Sequence, residues 1–211
     1  MSGSKRVVIV DYGLGNLLSV ARAVRAVGGE PDISADPADV VGAPRVLLPG
    51  VGAFGDGMKG LRERGLVEPL RAYAKSGRPL LGICLGMQLL MDRSSEFGEH
   101  EGLGLVPGSV EKLVAGTDGV KLPHVGWSAL SPASPWPKTA LAGTAEGAEF
   151  YFVHSYAAVP AEKADRLADC GYGAGSFCAA LRRGNITGCQ FHPEKSGPAG
   201  LDILRRFLEN P

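Results

Sequence analysis

Short apolar segments alternate with stretches of helical hydrophobic spacing, and this alternation most constrains what the chain can fold into. Residues 6–10 form a strand-length run rich in valine and isoleucine, residues 11–16 a glycine turn, and residues 17–27 carry apolar side chains at helical spacing. Strands that alternate with helices are typical of a parallel sheet. We therefore predict an α/β fold, with a mostly parallel central sheet and helices on both faces.

The same patterns predict the remaining elements and the domain organisation. Further strands are predicted at residues 31–34, 45–48, 79–83, 149–154, 167–170, 177–182 and 186–191. Further helices are predicted at residues 56–64, 67–75, 85–91 and 198–210, and a proline-rich loop at residues 131–137. Because strands crowd together in the C-terminal half, some of them should be antiparallel. The chain has no internal repeat or linker, so residues 1–211 are predicted to form a single domain.

Glycine is unusually common in this chain. There are 31 glycines and 15 prolines among 211 residues, against a usual combined share of roughly 12%. The glycines follow no period and 45% of the residues are hydrophobic, which argues against both collagen and disorder. The glycines should therefore mark turns in which the backbone adopts special conformations.

Charge and cysteine content exclude several classes of function. Basic and acidic residues number 22 each, a balance that argues against nucleic acid or an anionic membrane as the main partner. No apolar run approaches the roughly 20 residues of a membrane span, and the run at residues 7–10 is too short for a signal-peptide core. The four cysteines show no metal-binding spacing. We expect a cytoplasmic protein with reduced thiols, without a metal or cofactor.

The segment Pro79–Gln88 carries the first candidate for chemistry. A predicted strand leads into Cys84 and a predicted helix leaves it, with Gly82 and Gly86 two residues to either side. This is the layout of a nucleophile elbow, with cysteine in the position of the usual serine. The helix N-terminus favours a thiolate, and the N–H of Leu85 could donate to an oxyanion. The alternative is a buried structural cysteine in a glycine-rich turn.

A cysteine nucleophile needs a base, and His192 is the best placed of the four histidines. It follows the predicted strand 186–191, and active sites lie at such strand ends in open α/β sheets. Pro193 should keep the link to Glu194 extended, so that the carboxylate can orient the imidazole. His100 is expected to be solvated and His124 structural, and a surface role for His192 beside a turn proline remains the alternative.

Together these residues carry a resemblance to a known family. Gly82-Ile-Cys-Leu-Gly-Met-Gln88 and His192-Pro-Glu194 resemble the motifs of the class I (triad) glutamine amidotransferases, and the likeness covers essentially the whole chain. Further segments resemble one branch of that family, the glutaminase subunits of imidazole glycerol phosphate synthase: residues 11–16, 49–55, 123–127, 151–156 and 192–196.

The resemblance implies a reaction and the residues that perform it. Cys84 would attack the side-chain amide of L-glutamine to form a glutamyl thioester, His192 would act as general base and then as acid to ammonia, and Glu194 would orient His192. The implied oxyanion hole comprises the N–H of Leu85 and one N–H among Gly50, Val51 and Gly52. In this family that loop can hold the wrong peptide orientation until the partner is occupied, and glycines make such a flip sterically easy.

The resemblance also implies a substrate pocket and a partner. The residues that match substrate-binding positions are Gln88, Glu96, Ser155 and Tyr156, and those that match the partner-facing surface are Asn16, Tyr151 and Lys195. Taken alone, most of these would be interpreted as ordinary polar surface or strand-end residues. The implied partner is a HisF-type (βα)₈ barrel cyclase subunit, which forms a heterodimer with the glutaminase and conducts its ammonia through the barrel.

Two alternatives stay open at this point. One is a glutaminase subunit of another synthase, of the pyridoxal phosphate or anthranilate type, against which the segments 123–127 and 192–196 argue. The other is a non-catalytic scaffold that only binds a partner. The presence of Cys84, His192 and Glu194 together argues against a scaffold, since such a protein would be free to lose them.

Overall fold

Fourteen strands, six α-helices and two 3₁₀ helices make up the part of the chain that the computed structural model describes, residues 5–114, 121–145 and 147–209. The strands are β1 (Arg6–Val10), β2 (Glu30–Ser34), β3 (Val46–Gly50), β4 (Leu80–Cys84), β5 (Met91–Ser94), β6 (His100–Glu101), β7 (Val106–Lys112), β8 (His124–Ala129), β9 (Ser131–Pro132), β10 (Glu149–His154), β11 (Tyr156–Pro160), β12 (Arg166–Tyr172), β13 (Gly175–Arg183) and β14 (Ile186–Cys189). The helices are α1 (Leu17–Ala26), α2 (Pro37–Gly42), α3 (Phe54–Glu63), α4 (Val67–Lys75), α5 (Leu85–Leu89) and α6 (Gly197–Glu209), with 3₁₀ helices at Lys163–Asp165 and Pro193–Lys195.

The main sheet has eight strands in the order β2-β1-β3-β4-β14-β13-β12-β9. The first five are parallel, and β13, β12 and β9 pair antiparallel beyond them, which confirms the predicted mixture. Strand β4 lies between β3 and β14, and Gly50 at the end of β3 is in register with Cys84 at the end of β4. Because ligands of open α/β sheets bind at the carboxyl ends of the parallel strands, this edge is where a site is expected.

The sheet divides the core into two apolar layers. Along β1, Val7 and Ile9 belong to one layer and Val8 and Val10 to the other, since successive side chains of a strand point to opposite faces. Helices α1 and α6 bury their apolar faces in the first layer, and α3 and α4 bury theirs in the second. The prediction of helices on both faces of the sheet is thus confirmed.

Two smaller sheets complete the fold. One has the order β11-β7-β5-β6, and the other is the antiparallel pair of β8 and β10. In that pair Trp127 lies opposite Tyr151, and His124 lies opposite His154. The pair therefore places two aromatic and two histidine side chains next to each other.

Several element predictions need correction. The predicted helix 85–91 ends at Leu89, because the chain turns at Leu90 and Met91 begins β5. The strand predicted to reach residue 191 ends at Cys189, and the loop at 131–137 contains the short strand β9. Helix α2 and strands β5, β6 and β11 were not predicted, and no bounds were predicted for β7 and β8. The final helix was predicted to end at Asn210, which lies outside the described residues.

Candidate active site

Cys84 stands at a sharp junction between β4 and α5, as the elbow motif predicts. Its backbone has φ 52° and ψ −112°, a strained conformation for a residue with a side chain, and it is 4% exposed. A Cβ at Gly86 would overlap the carbonyl oxygen of Leu48, and one at Gly82 would lie 2.8 Å from the oxygen of Gly86. Glycine is therefore required at both positions, because neighbouring backbone atoms leave no room for a Cβ. Helix α5 has only five residues, so its dipole is small.

His192 and Glu194 form a buried pair just beyond β14. Nδ1 of His192 lies 2.8 Å from Oε1 of Glu194, and the two side chains are 3% and 1% exposed. The predicted extended link is wrong: residues 193–195 form a 3₁₀ turn, closed by a hydrogen bond from the Lys195 N–H to the His192 carbonyl oxygen. Proline suits the first position of such a turn, because its fixed φ is helical and it has no N–H to satisfy.

His192 is held in the protonated form by its neighbours. Burial acts to lower its pKa, but interactions with the side chains of Cys84 and Glu194 outweigh burial and raise the pKa to about 9. Nδ1 donates to Glu194, so Nε2 is the nitrogen left for the sulfur of Cys84. Nε2 is buried and has no hydrogen-bond partner among the described residues. A protonated ring therefore has an Nε2–H that is free to act in chemistry at Cys84.

The residues predicted for substrate binding line one pocket over Cys84. Gln88, Glu96, Ser155 and Tyr156 all contribute to its wall. Its other lining residues include Val51, Gly52 and Leu85, and the cavity measures about 60 Å³. A larger cavity of about 350 Å³ lies between β7, β11 and β13, but its lining does not include the elbow or His192. The smaller pocket is the one that meets the nucleophile.

Hydrogen bonds fix the side chains of Gln88 and Glu96. The Gln88 amide donates to the carbonyl oxygen of Tyr156 at 2.8 Å and to Oε1 of Gln190 at 3.0 Å. Both donors of the amide are then used, so an acceptor, Oε1, is what Gln88 has left to offer. Oε2 of Glu96 accepts from the N–H of Phe54 at 2.7 Å, at the start of α3. Glu96 is thereby anchored at the pocket edge.

The predicted oxyanion loop begins at Gly50, the last residue of β3. Gly52 has φ +126°, which favours glycine, whereas Gly50 is needed because a Cβ there would overlap the hydroxyl of Tyr12 and lie 2.9 Å from Cβ of Leu85. The Tyr12 hydroxyl is buried and has no hydrogen-bond partner among the described residues. Gly50 is thus fixed by packing, and only Gly52 of the pair has the positive φ that glycine tolerates.

The three predicted partner-facing residues do not form one contact cluster. Nζ of Lys195 lies 5.7 Å from the ring centre of Tyr151, whose ring lies 6.0 Å from that of Trp127. Asn16 is exposed at the start of α1, where its side chain accepts a hydrogen bond from the N–H of Ser19. The glycine turn that carries Asn16 approaches the oxyanion loop, since a Cβ at Gly15 would lie 3.4 Å from Cα of Gly50.

Sequence reasoning missed two buried residues beside the site. Gln190 is fully buried, and its Nε2 lies 3.7 Å from Sγ of Cys84. His154, the last residue of the predicted strand 149–154, lines the pocket, and burial lowers its pKa to about 3. His100 also differs from expectation, because its ring packs over Gly55 and is only half-exposed. No local pattern marks these roles, since each depends on contacts distant in sequence.

The histidine pair of β8 and β10 has one consistent set of protons when both rings are neutral. Nδ1 of His154 faces the Tyr156 carbonyl oxygen at 2.9 Å and must donate, so Nε2 of His154 accepts from Nδ1 of His124 at 3.3 Å. Nε2 of His124 then accepts from the hydroxyl of Ser128 at 3.0 Å. Both rings are neutral in this arrangement, which agrees with the lowered pKa of each.

The described residues contain neither a metal-binding cluster nor a membrane-spanning helix. In residues 5–114, 121–145 and 147–209, no group of three or more histidine, cysteine, aspartate or glutamate side chains is arranged to hold a metal ion. Within those same residues, no helix combines the length and apolar character needed to cross a membrane.

Comparison with known proteins decides the family. The family model described as "Glutamine amidotransferase class-I" matches residues 8–210, and curated HisH proteins are nearly half identical to the chain. The chain belongs to the class-I glutamine amidotransferases, in the HisH branch. It is accordingly a glutamine amidotransferase, as the motifs around Cys84 and His192 predicted.

The curated relatives match the amidotransferase chain along almost its whole length. The imidazole glycerol phosphate synthase subunit HisH 1 of Legionella pneumophila (strain Lens) is 47% identical over 209 residues, covering 96% of this chain and 98% of the relative. The subunit HisH of Geobacter sulfurreducens is 46% identical over 208 residues, covering 97% and 98%. That of Moorella thermoacetica is 46% identical over 203 residues, covering 96% and 94%.

Solved structures share the fold of this amidotransferase at low sequence identity. The structure of PurLQS from Thermotoga maritima matches with a TM-score of 0.74 at 20% identity, covering 96% of this chain and 97% of that chain. The glutaminase domain of Trypanosoma brucei CTPS with bound acivicin matches with a TM-score of 0.65 at 16% identity, covering 98% and 94%. These likenesses establish the α/β amidotransferase fold and nothing finer.

Proposed function

We propose that this protein is the glutaminase subunit of an imidazole glycerol phosphate synthase. It would hydrolyse L-glutamine through Cys84, His192 and Glu194 and pass the ammonia to a HisF-type (βα)₈ barrel cyclase. The products of the cyclase would be imidazole glycerol phosphate and aminoimidazole carboxamide ribotide, in histidine biosynthesis. The observation that carries the proposal is the buried His192–Glu194 pair at 2.8 Å, which leaves Nε2 of His192 for the elbow cysteine.

The first half of the reaction forms a thioester. The Cys84 thiolate attacks the side-chain carbonyl carbon of glutamine, and the electron pair of the C=O bond moves to its oxygen. N–H groups of Leu85 and of the Gly50–Gly52 loop would stabilise this oxyanion. Nε2 of the His192 imidazolium then gives its proton to the amide nitrogen, the C–N bond breaks, and ammonia leaves.

The second half releases glutamate. Neutral His192 takes a proton from water through Nε2, and the resulting hydroxide attacks the thioester carbon. The C–S bond breaks and the thiolate returns beside the imidazolium, and the new γ-carboxylic acid loses its proton to solvent as glutamate leaves. The Glu194 carboxylate accepts a hydrogen bond from Nδ1 of His192 at 2.8 Å. Its negative charge therefore stabilises the imidazolium before ammonia leaves and again after the thioester is hydrolysed.

The pocket offers matching groups for glutamine. Gln88 has only an acceptor left, so its Oε1 would accept from an N–H of the substrate amide. Glu96 lines the pocket with a carboxylate that suits the α-ammonium group, and Ser155 and Tyr156 would complete the wall. These assignments support L-glutamine as the substrate.

The partner would bind over the exposed aromatic surface near the site. Trp127 is 53% exposed and stands beside Tyr151 and Lys195, and Asn16 lies exposed at the glycine turn next to the oxyanion loop. We propose that these residues face the barrel in a heterodimer. We also propose that residues 1–211 act as a single amidotransferase domain in the cytoplasm.

The test compares two nitrogen sources for the reconstituted synthase. The chain is mixed with a HisF-type cyclase and its nucleotide intermediate, and product formation is measured with glutamine or with ammonium. Cys84→Ala should abolish the glutamine-dependent reaction and leave the ammonium-dependent one intact, and Cys178→Ala, at a buried thiol outside the site, should keep both. Loss of both activities in Cys84→Ala, or of neither, would contradict the proposal.

A further inference from the structure

Gln190 occupies a position that neither the motif nor the mechanism uses. It follows the end of β14, two residues before His192, and its backbone N–H is bonded to the carbonyl oxygen of Ala179 at 2.9 Å. The side chain is completely buried and runs toward Cys84, with Nε2 3.7 Å from Sγ. A fully buried amide that touches the nucleophile needs a partner for each of its polar atoms.

The orientation of the Gln190 amide follows from its neighbours. Its Oε1 accepts from Nε2 of Gln88 at 3.0 Å, and that same nitrogen of Gln88 donates to the Tyr156 carbonyl oxygen at 2.8 Å. The Tyr156 carbonyl can only accept, so the nitrogen of Gln88 is placed without ambiguity. If the Gln190 amide were reversed, two NH₂ groups would face each other and an oxygen would face the sulfur. An N–H of Gln190 therefore points at Sγ.

We propose that Gln190 is a catalytic residue that donates a hydrogen bond to the sulfur of Cys84 whenever the sulfur carries negative charge. Two such states belong to the proposed reaction: the thiolate that attacks glutamine, and the thiolate that leaves when the glutamyl thioester is hydrolysed. Both states rest on the function proposed above, whereas the contact between Gln190 and the sulfur does not.

The sulfur of Cys84 needs a second hydrogen-bond donor because His192 changes its protonation state during the reaction. His192 loses its proton to ammonia and recovers it from water, so it cannot serve as a constant donor to the sulfur. The Gln190 amide exchanges no proton and remains a donor throughout the cycle. The Gln190 amide also orients the side chain of Cys84, whose backbone is strained at φ 52°.

The direct test is the alkylation of Cys84 by iodoacetamide as a function of pH. Gln190→Glu keeps the acceptor for Gln88 but puts a carboxylate oxygen beside the sulfur, and Gln190→Met keeps the size without a donor. Because hydrogen bonds to charged groups are the stronger kind, we expect alkylation near neutral pH to slow about tenfold in Gln190→Met and more in Gln190→Glu, with both pH profiles displaced upward. Cys189→Ala, the adjacent buried residue, should follow the wild type.

A merely structural role for Gln190 would leave the pH profile of alkylation in place while lowering the melting temperature. Unchanged alkylation in both glutamine variants would therefore overturn the proposal. The wild-type chain gives a measurement that does not depend on whether the variants fold. Its Gln190 side-chain NH₂ signals should shift in NMR spectra as Cys84 titrates, and the shift should be absent in Cys84→Ala. Signals insensitive to that titration would also refute the contact.

The assembled synthase separates this proposal from the proposed function. Gln190→Met should lower kcat with glutamine about tenfold and leave the ammonium-dependent rate unchanged. Gln190→Glu keeps the acceptor for Gln88, so it should lower kcat with glutamine without changing KM. If the wild type alkylates as expected but does not use glutamine, the proposed function fails and the Gln190 contact stands. If the synthase uses glutamine but the Gln190 variants are alkylated like the wild type, the proposed function stands and the Gln190 proposal fails.

Discussion

Replacing Glu194 by glutamine tests how the buried pair controls the proton on His192. The carboxylate is 1% exposed and accepts from Nδ1 of His192 at 2.8 Å, and together with Cys84 it holds the pKa of His192 at about 9. Glu194→Gln can keep an acceptor oxygen in the same place and removes only the negative charge. The ring should therefore stay oriented while its protonated form loses stabilisation.

The size of the effect follows from the hydrogen bond. Bonds to charged groups stabilise by about 1.5–3 kcal/mol and neutral ones by about 0.5–1.5 kcal/mol, so the difference is about 1–1.5 kcal/mol. Since one pKa unit corresponds to about 1.4 kcal/mol, the pKa of His192 should fall by about one unit, from about 9 to about 8. Ammonia leaves with the imidazolium proton, so activity is retained below this pKa and lost as the pH rises through it. Near pH 8.5 the protonated fraction of His192 should be about threefold lower in Glu194→Gln than in the wild type.

The assay is the pH profile of glutamine-dependent kcat in the assembled synthase, with the ammonium-dependent rate as the internal control. The alkaline limb should move down by about one pH unit in Glu194→Gln, and an NMR titration of the His192 ring should show the same displacement. An alkaline limb at the same pH in wild type and variant would mean that the charge of Glu194 does not set the pKa of His192.

Two further predictions concern stability. His154 has a folded-state pKa of about 3 against about 6.5 unfolded, so the unfolded chain binds the proton first and stability is lost as the pH falls below about 6.5. Lowering the pH to about 5 should reduce the free energy of unfolding by about 2 kcal/mol through His154. In urea unfolding, the free energy of His154→Gln should therefore fall less steeply with pH than that of the wild type, and an equally steep fall in both would contradict this. Gly86→Ala should destabilise by about 2–3 kcal/mol because its Cβ would overlap the Leu48 carbonyl oxygen. Gly42→Ala, where a Cβ meets nothing within 4 Å, should change the melting temperature little, and equal losses in the two would refute the packing argument.

The parallel half of the fold was predictable because each strand carries its own signal. Buried parallel strands such as β1 and β4 are continuous apolar runs, and helices α1 and α4 have apolar residues at helical spacing. Strand β5 has the sequence Met-Asp-Arg-Ser, with two exposed polar residues in its centre, and exists because it pairs with β7 and β6. Such a strand is defined by its neighbours, so local pattern does not reveal it.

The site residues also differ in whether a local sequence motif marks them. Cys84 with its flanking glycines, and His192 with Glu194, are short motifs that carry their own geometry, although Pro193 starts a 3₁₀ turn where an extended link was expected. Gln190 contacts Cys84 across a separation of 106 residues and is visible only once β14 lies beside β4. Its position is set by sheet register, which no local motif encodes.

Trapping the covalent intermediate on Cys84 would test directly whether this cysteine is the nucleophile. The chain, bound to a HisF-type cyclase and its nucleotide ligand, is mixed with glutamine, quenched in acid within a turnover and analysed by intact-protein mass spectrometry and peptide mapping. We predict one added glutamyl group, located on Cys84 and absent from Cys84→Ala. Turnover of glutamine without any adduct on Cys84, or with the adduct on another residue, would contradict the central claim.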